Sequence, residues 1–545
     1  MYKSGRPGAG DYFARMMPVG LGWINALLCR EGFDSSLANL SRIPWARIEA
    51  YLRDQRPDLV GITLYTFNRH AGMRLAALAR RARPSCVVIV GGPHATHEGA
   101  SILRHHPEVS AVAVGEGEIT MLEVARAVRS GAALASVSGL LVRPEGAASR
   151  LGHVGPEPPV MTGRRETVAS LDSLPYPALH YQGHGLDPEA EASFIITSRG
   201  CPARCTFCNT PDFWGTRMRF RSPRHMLEEI RYLRDRMGIL SVSIRDDTFT
   251  VHRRRVIEFC QLLIDARLDV TWNCQSRVNA IDEERLAWMR RAGCDHIQYG
   301  VESGSPRLLA LLAKDITVDE IRVAAAATRR VGLGLSIYLI SGIPGETQED
   351  FLATRELVSE IRPHDGMVAP LAVFPGTRLH EELRAAGGID DDYWERERRD
   401  TLYAMAGPPA RRSFRRLASL CERVGRSAAY TRAELEQHKK LLPGAFAPWI
   451  ASGEAYEAEG DAGSALSEYE EVLRFSPGNV WALLRTGDLM LASGDPRAAR
   501  LYYRQALRRS SRSALIKERL QAVEAGRRTG RKPAAVRRRR ALVPA

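Results

Sequence analysis

Along the first third of the chain, apolar positions recur with two alternating spacings. In "GWINALLCREGF" and "PWARIEAYLRDQ" they fall three and four apart, as one buried helix face requires, and "AGMRLAALARRAR" repeats that spacing. Between them, "LVGITLYT" and "CVVIVGG" are short runs rich in Val and Ile, the pattern of strands covered on both faces by helices. The alternation over about residues 18–130 predicts a doubly wound parallel sheet. Its strands end in "YTFNRH", "GGPHATHEG" and "VGEGE", which puts Gly and polar residues where open α/β sheets bind ligands. Neither GxGxxG nor GxxxxGK[ST] occurs there, so no dinucleotide fingerprint or P-loop is read. A first strand is not evident in "MYKSGRPGAGDYF". Residues 142–190, rich in Pro and Gly, read as a hairpin and an ordered linker.

A second alternation starts at residue 193. Strands are expected near "SFIITS", "LSVSIRD", "VTWNCQ", "HIQYGVES", "LSIYLISG" and "GMVAPLAVF", each followed by a helical stretch. Ser222-Pro223 and Asp282 are good helix starts. Six βα units predict a barrel-like parallel sheet short of the eight of a full barrel, with its chemistry at the strands' carboxyl ends. Beyond residue 445, "GDAGSALSEYEEVL" from Gly460 is echoed by "GDPRAARLYYRQAL" from Gly494, and Gly453, Ala465, Tyr469 and Leu473 match Gly487, Ala499, Tyr503 and Leu507 at the same 34-residue offset. This resembles the tetratricopeptide repeat; two ordinary helical hairpins are the plainer alternative. Two copies are too few for a free solenoid, so they are expected to pack on the preceding helices.

Composition narrows the class. At 545 residues the chain is long enough for several domains, and its 44% hydrophobic share is ordinary. No apolar run reaches the roughly 18 residues of a membrane span, and the polar amino terminus lacks the apolar stretch of a signal peptide; a cytoplasmic protein is expected. Of nine cysteines, Cys29, Cys86, Cys260, Cys274, Cys294 and Cys421 are scattered and read as buried free thiols in a reducing compartment. The net charge of +14 invites a nucleic-acid reading, but "RRTGRKPAAVRRRR" at 527–540 carries much of the excess, as a solvated tail does, which argues against nucleic acid as the partner.

The other three cysteines cluster as Cys201-x3-Cys205-x2-Cys208, directly after the first barrel strand. Thiolates select zinc, Cu(I) or iron-sulfur clusters; structural zinc wants four ligands, and His225 lies seventeen residues beyond Cys208. Together with Phe207 before the last cysteine, "CPARCTFC" resembles the signature of the radical S-adenosylmethionine (SAM) superfamily. The resemblance implies a [4Fe-4S] cluster on Cys201, Cys205 and Cys208, with SAM itself completing the fourth iron, held in a partial (βα)6 barrel. It further implies that Phe207 lies near the adenine and that Asp246, Asp247 and Thr248 meet the SAM amino group. Glu302 in "YGVESGS" would contact the ribose or methionyl part, Lys314 the carboxylate, and "SGIPGET", with Gly342, Pro344 and Gly345, the adenine side. Plainer alternatives stand beside each: helix caps for the aspartates, a surface charge for Lys314, turn glycines for Gly342 and Gly345.

The domain order resembles class B radical SAM enzymes, whose amino-terminal Rossmann-like domain binds cobalamin. There Gly91, Gly92 and Pro93 would let a strand end approach the corrin, and "GEGE", with Gly115 and Gly117, would line the neighbouring loop. The Asp-x-His-x-x-Gly motif of many cobalamin domains is missing from "DYFARMMPVGLGWI". The expected organisation is a cobalamin-binding domain at 1–141, a linker at 142–190 and the radical SAM core at 191–400. A helical connector at 401–445, tetratricopeptide-like repeats at 446–524 and a basic disordered tail at 525–545 complete it. The implied activity is reductive cleavage of SAM with cobalamin-dependent methyl transfer to an unactivated carbon. The alternatives are a radical SAM cyclase or rearrangement enzyme, and a partner-binding scaffold with a degenerate barrel. The implied partners are a small-molecule or carrier-bound substrate, an electron donor such as flavodoxin or ferredoxin, and a protein at the repeats.

Overall fold

The Val- and Ile-rich runs of the amino-terminal region form β1 (Leu59–Thr63), β2 (Val87–Gly91) and β3 (Ala111–Ala113), parallel in that order, in a computed structural model that describes residues 1–3, 18–144, 157–181, 183–184, 192–397, 399 and 401–525. The expected basic tail and the "DYFARMM" half of the loop without histidine lie outside the described residues. Residues 1–3 supply the strand that the sequence hid: Met1 N donates to Gly61 O at 2.5 Å, Thr63 N to Met1 O at 3.4 Å, and Tyr2 bridges Asn39. The sheet is not wholly parallel. After the helix Glu118–Ser130 the chain climbs back until Gly139 O accepts from Val114 N, so β4 (Leu140–Val142) runs against β3, and β5 (Val160–Met161) against β4.

The second alternation folds as read. Six strands, β6 (Phe194–Ile195), β7 (Ser241–Ile244), β8 (Thr271–Ser276), β9 (Cys294–Glu302), β10 (Gly334–Ser341) and β11 (Asp365–Pro370), lie side by side in chain order, each parallel to the next. Ser222 and Asp282 cap their helices as expected, accepting from His225 N and Arg285 N. Phe249, Phe259 and Trp272 meet edge to face in the core beneath these helices. Past β11 the helix Pro408–Arg426 takes the outer layer, and Cys421 Sγ fills the space that a side chain at Gly366 would need.

The carboxyl-terminal helices obey the 34-residue offset in detail. Gly453 leaves room for the Tyr469 ring and Gly487 for Tyr503; Asp461 and Asp495 cap equivalent helices, and Asn479 and Ser513 cap the next pair. The helix Ala514–Glu524 is thus the first half of a third repeat. These helices pack on the barrel, as a short solenoid must. Leu240 joins their apolar core, Phe446 lies where a side chain at Gly293 would be, the backbone at Arg512 and Ser513 presses on Gly238, and Asp269 faces Asn479. Gly238, Leu240, Asp269 and Gly293 all precede strands, so the repeats cover the end of the barrel opposite the strand termini that carry the cysteines. Among the described residues no helix is long and apolar enough to cross a membrane.

Candidate active site

The cysteine loop is an excursion closed at its base. Ser198–Arg199 pairs antiparallel with Arg219–Phe220, and Gly200, at φ +98°, lets its backbone press on Arg217 O and Gly215 O, which would lie 2.6 and 3.1 Å from any Cβ there. Cys201 N donates to Gly215 O, and Cys208 N turns back to Cys205 O. Asp246, expected at the SAM amino group, instead secures this base: its carboxylate accepts from Thr197 N and Oγ1, both at 2.5 Å, and from Ser198 Oγ at 2.6 Å.

Cys201 and Cys205 are buried, Cys208 half-buried, and all three are free thiols. Burial raises the Cys205 thiol, while Lys314 and Arg277 beside it act the other way; burial pushes Cys208 up to about 11 against a hydrogen bond with Thr210. Such sulfurs resist existing as bare anions, and Cys205 also lies beside cations that favour its anion, which suits thiols that lose their protons to a metal. Among the described residues no three His, Cys, Asp or Glu side chains converge as on a single ion. A [4Fe-4S] cluster takes its thiolates one per iron, so three spaced cysteines fit such a cluster with one iron left for a further ligand.

Glu302 and Lys314 are brought together, both buried, with Lys314 Nζ donating to Glu302 Oε1 at 2.7 Å. Glu302 stands at φ +65°, beyond a register shift in β9 and inside a three-residue turn closed by Ser303 N on Val301 O at 2.8 Å. Lys314 sits between Ala313 (φ +47°) and Asp315 (φ +51°). Three left-handed non-glycine residues around one ion pair mark a place where backbone strain is held for a purpose. A side chain at Gly300 would come within 2.6 Å of both charged atoms, so the missing Cβ is what makes room for the pair. Arg277, which no sequence pattern singled out, locks the arrangement: it donates to Lys314 O at 2.6 Å and Asp315 O at 2.9 Å and reaches Cys205 Sγ at 3.9 Å.

Thr206 N donates to Leu312 O, and Thr206 O accepts from Leu379 N, and Phe207 packs on the apolar cluster that holds Leu308, Leu312, Ile340 and Ile343. Phe207 and the "SGIPGET" loop thus share one apolar cluster; Gly342 is covered by Met405 and Ala410, whereas Pro344 and Gly345 face outward. Asp247 meets solvent yet is hemmed by protein, as a group facing a cleft is; that burial, with Asp246 adjacent, pushes it up to about 6, and it accepts from Thr210 Oγ1 at 3.1 Å. Thr248 Oγ1 is buried with no hydrogen-bond partner among the described residues. Deeper in the barrel, Gln298 Oε1 accepts from Arg245 at 3.1 Å and from Tyr338 OH at 2.8 Å, and Gln275 donates to Tyr338 at 3.0 Å, a network not anticipated from sequence.

In the amino-terminal domain the expected cofactor glycines divide. Gly92, at φ +96°, is demanded by packing, because a Cβ there would meet Thr63 Oγ1 and Leu64 O within 2.9 Å; Gly91 abuts Ala113, and Pro93 starts a helix. Gly117 packs on Ile24, whereas Gly115, at φ +73°, has nothing within 4 Å of the position a Cβ would take among the described residues. Nearby, the His97 ring packs on Gly376 at the seam with the barrel, and its Nε2 is buried with no hydrogen-bond partner among the described residues. An open glycine turn and an unsatisfied ring nitrogen at strand ends fit a polar group entering there. Glu116 and Glu118, between and beyond these glycines, turn into the barrel and pair with Arg199 and Arg219. Their partners lie about eighty or more residues downstream, and the only local hint was an arginine directly before Gly200-Cys201.

Comparison with known proteins agrees with this anatomy. The radical SAM superfamily model matches residues 195–358, the B12 binding domain model residues 6–125, and a tetratricopeptide repeat model residues 456–522. An uncharacterized methyltransferase of Pyrococcus horikoshii is 30% identical over 372 residues, which cover 67% of this chain and 78% of the relative. The anaerobic magnesium-protoporphyrin IX monomethyl ester cyclase of Rubrivivax gelatinosus is 28% identical over 60% of this chain and 59% of its own length. The fold is shared with the radical SAM methyltransferase TsrM of Kitasatospora setae, solved with cobalamin and a [4Fe-4S] cluster, at a TM-score of 0.59 and 18% identity over 71% of this chain and 74% of that one.

Proposed function

The chain belongs to the radical SAM superfamily, in the group that joins a B12-binding domain to the barrel, and from that membership and the site's geometry we propose a cobalamin-dependent methyltransferase acting on an unactivated carbon. The observation that carries the proposal is the convergence of Cys205, Arg277, Lys314 and Glu302 at one barrel mouth. When bound, the cluster supplies an electron to SAM and cobalamin carries a methyl group.

The chain's own residues do the rest. Cys201, Cys205 and Cys208 would hold the cluster, and SAM would bind at the iron they leave open. Lys314 pairs with the SAM carboxylate, exchanging one buried anion for another, and Glu302 turns to the ribose or methionyl part. Because Lys314 is paired with Glu302 before SAM arrives, it is not a buried charge left alone at either stage. Phe207 and Ile343 offer an apolar shelf for the adenine. Asp247, open to the cleft, is the carboxylate placed for the SAM amino group, while Asp246 positions the loop. Gly115 and the seam beside His97 receive cobalamin. A flavodoxin or ferredoxin in the cytoplasm supplies electrons, the substrate is a small molecule or is carrier-bound, and the repeats engage a protein. A cyclase or rearrangement reading is the runner-up, favoured by the similarity to the protoporphyrin ester cyclase.

Anaerobic reconstitution with iron, sulfide and cobalamin tests the cofactor set. The expected result is broad visible charge-transfer absorption that a Cys205→Ala variant loses while still binding cobalamin. A colourless protein that takes only zinc would overturn the proposal.

A further inference from the structure

The two glutamates of "GEGE" stand in a strand-end loop of the amino-terminal domain, yet their carboxylates serve the barrel. Arg199, two residues before Cys201, sets Nη1 3.2 Å from Glu116 Oε2 and donates through Nη2 to Glu118 Oε1. Arg219, its partner across the strand pair that closes the cysteine loop, donates to the other Glu116 oxygen and to Val168 O at 2.9 Å. Arg199, Glu116 and Glu118 are buried and Arg219 is half-buried beside them, two cations against two anions. The Arg199 guanidinium also lies 5.4 Å over Trp23 of the amino-terminal domain and 4.7 Å over Trp214 of the cysteine loop. One side chain therefore touches both units on two sides.

We propose that Arg199 is a positioning residue, whose pairing with Glu116 and Glu118 fixes the cysteine loop against the amino-terminal domain and so sets the separation between the cluster and cobalamin. A planar guanidinium set between two carboxylates is held to one orientation by charge, and swinging away would leave buried anions uncompensated. The inference rests on the reading above that both cofactors are bound.

The test uses the full chain as Arg199→Gln, Arg199→Lys and the isosteric Glu118→Gln, which keeps its shape should Arg199→Gln fold poorly. With the cluster reduced and cobalamin held as cob(II)alamin, both centres are paramagnetic, and their spin–spin coupling in electron paramagnetic resonance reports their separation. The wild type should show one defined coupling, Arg199→Gln and Glu118→Gln a weakened and smeared one with both cofactors retained, and Arg199→Lys a partial return. In the cofactor-free chain, hydrogen exchange at 114–118 and 198–220 should quicken together by about tenfold in both glutamine variants, with β8 and β9 unchanged. Unchanged coupling in the glutamine variants, or faster exchange in only one of the two segments, overturns the inference. A wild type that takes up no cobalamin contradicts the function instead, and hydrogen exchange alone then decides whether the joint exists.

Discussion

Gly300, Glu302 and Lys314 form the part of the site where one atom decides most. Left-handed backbone at Glu302 costs of order 1–3 kcal/mol, and the gain is a carboxylate aimed across the barrel mouth at a buried lysine. In Gly300→Ala the new methyl would press on Glu302 Oε1 and Lys314 Nζ, the ends of flexible side chains, so the pair should shift while the sheet holds. SAM affinity of the cluster-loaded protein should fall about tenfold, or ~1.4 kcal/mol, in equilibrium binding with an unchanged melting temperature; unchanged affinity would remove the pair from SAM recognition. Arg277→Lys keeps the charge but loses the fork that holds Lys314 O and Asp315 O, and should weaken SAM binding by a similar factor. The cysteines were legible in the sequence because their spacing is local. Lys314 and Glu302 needed a resemblance, and the hold of Asp246 on Thr197 was not legible, because nothing local says that its carboxylate reaches back forty-nine residues.

At the scale of elements, periodicity carried the reading as far as periodicity goes. All six barrel strands and the 34-residue repeat were legible because each is written in a spacing of apolar or small residues. Met1–Lys3 and the reversal at β4 were not, since three residues have no period and strand direction depends on where a connection ends. The repeat makes its own prediction. A Cβ at Gly487 would lie 2.5 Å from the ring of Tyr503, which is fully buried and has nowhere to go. Gly487→Ala should therefore destabilise the repeats by about 1–3 kcal/mol in urea denaturation, and Gly453→Ala, meeting Tyr469 in the same way, should do likewise.

Across the whole molecule, three interfaces organise the site: the repeats under the barrel, the Arg199 joint, and a seam where the segment 376–397 wraps the amino-terminal domain. The repeats cap the end away from the cysteines, so a protein docking there would act at a distance from the chemistry. At the seam, burial opposes charge on His106, but hydrogen bonds with Glu108 and Glu395 outweigh it and raise it from 6.5 to about 9; burial raises Glu98, near His380, from 4.5 to about 7. A folded pKa above the unfolded one stabilises fully below the unfolded value and is lost as pH climbs through the folded one. The seam should therefore loosen in two stages, from about pH 4.5 to 7 through Glu98 and from about pH 6.5 to 9 through His106, seen as reduced hydrogen-exchange protection around Trp394 after correction for the intrinsic rise of exchange with pH, and His106→Gln should flatten the upper stage. The central claim, that SAM is both methyl source and radical source here, is tested most directly by its products. Anaerobic incubation of the cobalamin- and cluster-loaded protein with SAM and a reductant should yield both 5′-deoxyadenosine and S-adenosylhomocysteine, the first abolished in Cys205→Ala. 5′-Deoxyadenosine without S-adenosylhomocysteine would contradict methyl transfer and leave the cyclase reading standing.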